Sequence, residues 1–317
     1  MHITNPATSH LIYAGGTFGS HGTPLKPLPA DKFLPAFSSL IHQYDHTILP
    51  NHIIKDSSTL TPADFVHFYE LIIKAYQAGA RQFILITGTD SLSFLGAFLS
   101  HALASIGDIS VFVMGSMHPL FVADRLPYTI DKIGDAWQNL SICLKNTHKK
   151  GVFVVVGDIF LAHNTQKIHS QANDAFVAIA TPAPTQITPP PVDILHQKAR
   201  RAPIKPIYLT PNSPNVLADE LQHATDSIAV IIIAFGAGNV ASSPDVIQAL
   251  DRLNDLNIPV VCTSMCAFGG VDSHYGAGAW QYQHGVWSGG NLTVAGIYSK
   301  LLWLYLTDNL TLGAWQS

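Results

Sequence analysis

The chain has 317 residues and a formal net charge of −4; 47% of its residues are apolar and only 12% are charged. This composition predicts a well-packed α/β protein with a sizeable core, and it excludes a basic surface for binding nucleic acid. No apolar run reaches the roughly 18 residues of a membrane helix, and no basic and apolar leader opens the chain. We therefore expect a cytoplasmic protein without a membrane partner.

The cysteines and histidines indicate neither disulfides nor a metal. Three cysteines, Cys143, Cys262 and Cys266, form an odd set without a pairing pattern, which predicts free thiols in a reducing compartment. A single C-x₃-C and the absence of H-E-x-x-H argue against zinc. His42 and His46 could hold a metal if they shared a helix, but a solvated face is the favoured interpretation. No complete nucleotide-binding glycine motif occurs, so we expect no bound nucleotide.

The first part of the chain alternates between predicted strands and helices. A strand at 11–14 leads into a loop rich in glycine and proline at 19–33, and Thr61, Pro62 and Asp64 then form a typical helix start. Further strands are predicted at 83–87, 111–116 and 151–158, and helices at 61–80, 90–107 and 132–146. Strands separated by helices predict parallel βαβ crossovers and a doubly wound sheet.

The second part repeats this alternation after a proline-rich stretch. Nine of the twenty prolines lie between residues 181 and 214, which indicates a linker with irregular edge structure. Strands are then predicted at 228–236 and 259–264, and helices at 243–255 and 291–306. We therefore predict a larger catalytic α/β domain over 1–190, a Pro-rich linker over 191–210 and a smaller α/β domain over 211–317.

Reactive side chains follow the predicted strands of the first domain. Thr17 follows the first strand, Thr89 and Asp90 follow the second, and Lys167 comes after the fourth. In open α/β sheets the working groups gather beyond the carboxyl ends of the strands. A threonine hydroxyl attacks only when a neighbouring base or charge network activates it, and a lysine with a tuned pKa can act as that base. The alternative is that these are turn glycines followed by helix-capping residues.

Three such glycine-containing loops and a lysine after the fourth strand together favour the catalytic interpretation. Gly16 and Gly88 precede Thr17 and Thr89. Glycine lets the backbone approach a substrate closely and leaves N–H groups free for an oxyanion. We therefore expect both glycines to contact the substrate.

These motifs together resemble the bacterial-type L-asparaginases, most closely their cytoplasmic type I branch. The stretch "YAGGTFG" is similar to the family's T-G-G-T-I-x motif, which implies that Thr17 is the primary nucleophile. The stretch "ITGTDSLS" is similar to H-G-T-D-T-x, which places Thr89 and Asp90 on the family's catalytic threonine and aspartate. The resemblance extends over nearly the whole chain, in order.

Further residues take their expected roles from the same resemblance. "KDSSTLTPADF" is similar to D-S-S-D-M-T-P-x-D, so Ser57 and Ser58 would contact the substrate's α-carboxylate. "MGSMHP" resembles the turn whose second residue, here Ser116, offers its backbone carbonyl to the leaving amide. "TQKIHSQANDAF" places the catalytic lysine at Lys167. "FGAGN" in the second domain implies that Asn239 reaches the site of a neighbouring subunit.

The chain departs from the family pattern at several places. Thr87 stands where the family has a histidine, and Thr23 occupies the position of the tyrosine in the mobile loop. The helix motif S-D-G-x-x-N-L-x-N-A is missing and "TIDKIGDAWQNL" stands in for it. An acidic residue of the second domain has no clear match near 268–276.

The resemblance implies hydrolysis of L-asparagine to L-aspartate and ammonia by a homodimer or homotetramer, without metal or cofactor. Thr17 would form an acyl-enzyme, backbone N–H groups near Thr89 would hold the oxyanion, and Asp90 would bind the α-ammonium. Thr89, Lys167 and Asp90 would form a proton network, and which threonine attacks first stays open. The alternatives are an amidase for L-glutamine, D-asparagine or an aspartyl derivative, and an amino-acid-binding protein with little turnover.

Overall fold

The computed structural model describes residues 8–123, 125–181, 183–184, 186–272 and 276–317. The chain divides into two compact units. The first comprises Met1–Ala178 and Gln186–Thr188, and the second comprises Ile179–Thr185 and Pro189–Ser317.

The first unit is built on a six-stranded sheet of order β4-β1-β5-β6-β7-β8. All neighbouring strands are parallel except β7 and β8, which are antiparallel. The sheet strands are β1 (Ser9–Tyr13), β4 (His46–Ile48), β5 (Gln82–Ile86), β6 (Ser110–Met114), β7 (Gly151–Val156) and β8 (Asp158–Leu161). Two small antiparallel pairs accompany it, β2 (Ser20–His21) with β3 (Lys26–Pro27) and β9 (Thr165–Lys167) with β10 (Phe176–Ala178).

Helices cover both faces of this sheet, which confirms the doubly wound prediction. They are α1 (Ala30–Leu40), α2 (Pro62–Gln77), α3 (Leu92–Ala102) and α4 (Asp135–Asn146). Helices α1 and α4 pack with one set of alternating strand residues in a single apolar cluster. On the other face, α3 brings Gly96 against Val154, and α2 packs on α3 through the rings of Phe65 and Phe98, 5.7 Å apart. Alternating side chains thus point to opposite faces of each buried strand.

The predicted start of α2 is confirmed. Pro62 is its first residue, and the Asp64 carboxylate accepts the backbone N–H of Thr61 at 2.7 Å.

The loop predicted at 19–33 is wrong in part, because it contains β2, β3 and the first turn of α1. The helix forms despite Pro35 in its interior, because Phe33 and Phe37, one turn apart, are both fully buried in the core. The option that His42 and His46 share a helix is also wrong: α1 ends at Leu40 and His46 lies in β4.

The second unit contains a parallel four-stranded sheet of order β11-β12-β13-β14. Its strands are β11 (Ile204–Tyr208), β12 (Ala229–Ala234), β13 (Val260–Ser264) and β14 (Trp287–Ser288). Its helices are α5 (Val192–Ala199), α6 (Pro214–Gln222), α7 (Pro244–Asp255), α8 (Gly276–Ala279), α9 (Val294–Leu306) and α10 (Leu312–Gln316).

The sequence predicted irregular structure between 191 and 210, but α5 and β11 both lie there. Leu195 and Ala199, one turn apart on α5, are buried, and Ile207 of β11 packs in the core. The prolines are compatible with these elements because Pro191 precedes α5 and Pro206 lies in an edge strand.

The three cysteines are free thiols, as predicted; Cys143 and Cys262 are buried, and Cys266 is exposed. Among the described residues, no helix has both the length and the apolar character that crossing a bilayer requires.

Candidate active site

The loops that follow β1 and β5 touch through their backbones. A Cβ atom at Gly16 would lie 2.4 Å from the backbone nitrogen of Gly88, and Gly16 has a φ of +84°. Both the close approach and the backbone conformation therefore require glycine. Since Thr17 and Thr89 are the next residues in each loop, this contact brings the two threonines to the same end of the sheet.

Thr17 begins a short 3₁₀ helix, Thr17–Gly19, immediately after Gly16. Its side chain is half-buried. The neighbouring Gly15, with a φ of +100°, approaches the carbonyl oxygen of Lys55, and the Lys55 N–H donates to the Ala14 carbonyl at 3.1 Å. These contacts bind the segment before Ser57 to the loop that carries Thr17.

Ser57 forms hydrogen bonds with the loop that follows β5. Its side chain is buried, and its hydroxyl oxygen accepts the backbone N–H of Asp90 at 3.2 Å. The hydroxyl of Ser91 in turn donates to the Ser57 carbonyl at 2.6 Å. A Cβ atom at Gly88 would lie 2.5 Å from the Ser57 hydroxyl oxygen. The structure thus gives Ser57 a positioning contact with the loop that carries Thr89 and Asp90.

Ser58 is exposed, and its backbone N–H donates to the Asp56 carboxylate at 2.9 Å. Hydrogen bonds from the Ser58 backbone and side chain hold the pKa of Asp56 below its ordinary value of 3.8. Asp56 therefore orders the turn that presents Ser58.

Lys167 joins the two functional groups of the second loop. Its ammonium donates to the Thr89 hydroxyl and to the Asp90 carboxylate, both at 2.9 Å. Its side chain is 20% exposed, whereas that of Asp90 is 61% exposed. The lysine is the last residue of β9, so the β9–β10 pair delivers it to the end of β5. The arrangement places a cation beside a threonine hydroxyl and leaves part of a carboxylate open to a ligand.

The loop after Lys167 is closed by His169. The imidazole Nδ1 of His169 accepts the backbone N–H groups of Gln171 at 3.0 Å and Ala172 at 2.9 Å. The Ile168 N–H donates to the Ala175 carbonyl at 2.7 Å across the same loop. These hydrogen bonds thereby fix the path of the chain immediately after Lys167.

The turn after β6 is held from α4. Ser116 is buried and its hydroxyl donates to the His118 carbonyl at 2.7 Å. The buried carboxylate of Asp135 accepts the N–H groups of Met117 at 2.5 Å and His118 at 3.0 Å. Gly115, at the start of this turn, is so close to Thr89 that a Cβ atom there would lie 2.9 Å from the threonine methyl. The turn is therefore next to the site.

Asn139 is a supporting residue that the sequence analysis missed. Its fully buried amide donates to the Gly115 carbonyl at 2.9 Å and accepts the Gly157 N–H at 2.8 Å, tying together the ends of β6 and β7. The signal lay in the spacing: Asp135 and Asn139 are four residues apart, like the aspartate and asparagine of S-D-G-x-x-N-L. The helix motif described as missing thus keeps these two side chains.

Thr87 and Thr23, two positions that differ from the family pattern, have different surroundings. Thr87 is fully buried, and its hydroxyl has no hydrogen-bond partner among the described residues. Thr23 is exposed, between β2 and β3. Residues 273–275, part of the stretch without a match for the family's acidic residue, lie outside the described residues.

Asn239 lies in the second unit, in the turn after β12. Its backbone N–H donates to the Phe235 carbonyl at 2.8 Å. Its side-chain oxygen is buried without a hydrogen-bond partner in the described part of the chain. The first unit thus brings together Gly16, Thr17, Ser57, Gly88, Thr89, Asp90, Ser116 and Lys167, whereas the role of Asn239 stays a prediction.

Comparison with known proteins places both units in one family. Family models of the asparaginase N-terminal domain and the glutaminase/asparaginase C-terminal domain match residues 10–200 and 204–311. L-asparaginase 1 of Escherichia coli K12 is 25% identical, over 93% of this chain and 90% of its own. A glutamyl-tRNA(Gln) amidotransferase component of Aeropyrum pernix is 24% identical, over 78% of this chain and 62% of its own.

A solved structure shows the same fold. L-asparaginase I from Vibrio cholerae superposes with a TM-score of 0.73 at 23% identity, over 98% of this chain and 95% of that chain. The fold and the two matched domains agree with the resemblance seen in the motifs. The chain is therefore an amidohydrolase that belongs to the asparaginase family.

Proposed function

We propose that this enzyme hydrolyses L-asparagine to L-aspartate and ammonia through an acyl-enzyme on Thr17. The observation that carries the proposal is the position of the Lys167 ammonium, 2.9 Å from both the Thr89 hydroxyl and the Asp90 carboxylate. This pair lies on a loop whose backbone touches the loop of Thr17. A nucleophile, a hydroxyl–amine pair and a carboxylate at one sheet end are what such a hydrolysis needs.

In the first step, the Thr17 hydroxyl oxygen attacks the side-chain carbonyl carbon of asparagine. Backbone N–H groups near Thr89 stabilise the oxyanion. The C–N bond then breaks, and ammonia leaves with the proton that Thr17 gave up. Water attacks the resulting ester and releases L-aspartate. Thr89 and Lys167 carry protons between the hydroxyls, the leaving group and the water.

Substrate binding in this proposal uses an exposed carboxylate and hydroxyl together with two buried serines. The Asp90 carboxylate, which accepts a hydrogen bond from Lys167, binds the α-ammonium of the substrate. Ser58, on the ordered turn after Asp56, faces solvent and binds the α-carboxylate together with Ser57. The Ser116 carbonyl accepts a hydrogen bond from the leaving amide.

The proposal also includes the oligomeric state of the enzyme. The side-chain oxygen of Asn239, buried and unpartnered among the described residues, supports a role for this amide in binding a ligand. We propose that Asn239 acts on the site of a neighbouring subunit in a cytoplasmic homodimer or homotetramer. No cofactor or metal takes part in the proposed steps.

The second candidate function is hydrolysis of another small amide, such as L-glutamine, D-asparagine or an aspartyl derivative. The exposed Thr23 between β2 and β3 and the buried Thr87 beside Gly88 favour it, because both positions differ from the family pattern. The similarity to an amidotransferase component points the same way. An amino-acid-binding protein with little turnover is the third candidate.

The test is release of ammonia and L-aspartate or the corresponding acid from L-asparagine, D-asparagine and L-glutamine. We expect the wild type to prefer L-asparagine and Thr17→Ala to lose about 10³-fold in kcat. Thr47→Ala, at an exposed position on β4, is the matched control and should keep wild-type turnover. Near-normal turnover by Thr17→Ala would exclude Thr17 as the nucleophile. Absence of turnover with any amide, together with a Tm raised by L-aspartate, would favour the binding protein.

A further inference from the structure

A cavity of about 550 Å³ lies in the first unit, apart from the groups assigned above to the reaction. Its volume is in the range of small-molecule sites. Its walls include His21, His118, Asp131, Ile133 and Asn173, and none of Thr17, Thr89, Asp90 and Lys167 is among them. We call it the flanking cavity.

The flanking cavity is walled by the same loops that carry the reacting groups. His21 lies four residues after Thr17, His118 two residues after Ser116, and Asn173 six residues after Lys167. At the His118 end, the buried Asp135 carboxylate accepts the backbone N–H of His118 at 3.0 Å and lies 3.1 Å from its ring Nδ1. The cavity therefore borders the turn that contains Ser116, because His118 of that turn forms part of its wall.

Apolar groups line much of this cavity and are open to it. Leu25 is 51% exposed and Ile133 is 85% exposed, which is unusual for such large apolar side chains on adjoining loops. Phe121 forms part of the wall, and Tyr128 stacks on it with ring centroids 5.0 Å apart. A ligand that covered Leu25 and Ile133 would remove apolar area from water.

The polar side chains of the wall include carboxylates, an amide and imidazoles. His21 packs its ring against Tyr128 at 5.5 Å, and its Nε2 is buried without a hydrogen-bond partner among the described residues. Asp131 and Asp135 supply two carboxylates, and Asn173 a neutral amide. No lysine or arginine belongs to the described wall. The wall thus favours a neutral ligand over an anionic one.

We propose that the enzyme hydrolyses L-asparagine derivatives whose side-chain nitrogen carries a neutral, largely apolar substituent, and that the flanking cavity binds this substituent. The inference rests on the proposed function and specifies its substrate class. Thr17 attacks the carbonyl carbon, the bond to the substituted nitrogen breaks, and the amine leaves with the transferred proton. Water then hydrolyses the ester, so each turnover consumes one water and forms L-aspartate and one primary amine.

The experiment compares L-asparagine, N4-benzyl-L-asparagine and N4-carboxymethyl-L-asparagine in one assay that reads the L-aspartate formed. We expect the benzyl derivative to be hydrolysed with a kcat/KM at least about tenfold above that of the anionic carboxymethyl derivative. Hydrolysis of L-asparagine without hydrolysis of the benzyl derivative would overturn the inference and leave the proposed function intact. Absence of turnover with all three would overturn both.

Two variants test the cavity itself. Ala123→Trp fills the exposed wall at Ala123, and it should lower the ratio of kcat/KM for the benzyl derivative to that for L-asparagine about tenfold. Leu126→Trp, an exposed position on the same segment outside the wall, is the matched control and should leave the ratio unchanged. An equal ratio in both variants would overturn the placement of the substituent.

Asp131→Asn is expected to increase a relative kcat/KM, and a misfolded variant would not produce such an increase. The Asp131 carboxylate accepts the N–H groups of Ile133 and Gly134 at 3.1 and 3.2 Å, and an asparagine oxygen can accept the same bonds. Removing this negative charge should raise kcat/KM for the carboxymethyl derivative relative to the benzyl derivative by about tenfold. An unchanged ratio would show that Asp131 does not face the substituent.

Discussion

The ammonium of Lys167 lies 2.9 Å from the carboxylate of Asp90, although 77 residues separate them in the chain. The Asp90 side chain is 61% exposed, and an ion pair with such an exposed partner contributes little to stability. The ion pair alone therefore does not account for the burial of most of the Lys167 side chain beside Thr89, which agrees with the role proposed for Lys167 in the reaction. We therefore expect substitution of Lys167 to change activity more than stability.

Lys167→Met should abolish most of the turnover while leaving the fold intact. We expect kcat to fall about 10²–10⁴-fold, because the variant loses the group that exchanges protons with Thr89, and Tm to change little. Lys198→Met is the matched control, since Lys198 is also 20% exposed and donates to Asp308 at 2.6 Å in the second unit. It should keep wild-type kcat. Comparable kcat values in the two variants would remove Lys167 from the mechanism.

Gly16→Ala should damage both stability and activity, because a Cβ atom there would lie 2.4 Å from the Gly88 nitrogen. Gly79→Ala isolates the conformational part of this effect. Gly79 has a φ of +107° and nothing within 4 Å of its Cβ position, so we expect it to lose only about 1–2 kcal/mol. Urea denaturation and kcat measure both effects. Equal losses of stability in the two variants would show that the contact with Gly88 is unimportant.

Asn139→Ala should destabilise the enzyme by about 2–4 kcal/mol, because it leaves the Gly115 carbonyl and the Gly157 N–H without their partner in a buried position. Asn146→Ala removes a single, partly buried hydrogen bond to the Ile142 carbonyl and should cost about 0.5–1 kcal/mol. Urea denaturation again gives both values. If Asn139→Ala proved as mild as the control, the two strand ends would not depend on this amide.

Asp56 should make a pH-dependent contribution to stability. Its hydrogen bonds with Ser58 lower the pKa of its carboxyl below 3.8 in the folded protein. The contribution is therefore fully present above pH 3.8 and is lost as the pH falls through the lower folded pKa. We expect the stability difference between the wild type and Asp56→Asn to shrink between neutral pH and about pH 3. A difference that grew on acidification would contradict this sign.

Local sequence was sufficient for the central strands and for several helix starts. The aliphatic runs that form β7 and β12 predicted buried strands because they combine β-branching with no polar residue. Thr61, Pro62 and Asp64 predicted the start of α2 because capping depends on residues within one turn. The glycines before Thr17 and Thr89 pointed to the reactive loops for the same local reason.

Other elements depend on contacts that sequence patterns do not encode. The loop predicted at 19–33 overlaps the first turn of helix α1, which forms despite Pro35 because Phe33 and Phe37 are buried. Helix α5 and strand β11 likewise form in a proline-rich stretch, because Leu195 and Ala199 of α5 are buried and Ile207 of β11 packs in the second core.

The sequence by itself determined the alternating α/β architecture, the position of Thr17 and Thr89 after their strands, and the family resemblance. Tertiary structure alone decided that Lys167 meets Thr89 and Asp90 and that Asn139 joins Gly115 to Gly157. It also placed the flanking cavity beside the Ser116 turn. Each of these depends on the folding of distant segments onto one sheet. The apolar core that drives this folding is formed by residues from many segments together. A propensity or a motif, in contrast, depends only on its own stretch of chain.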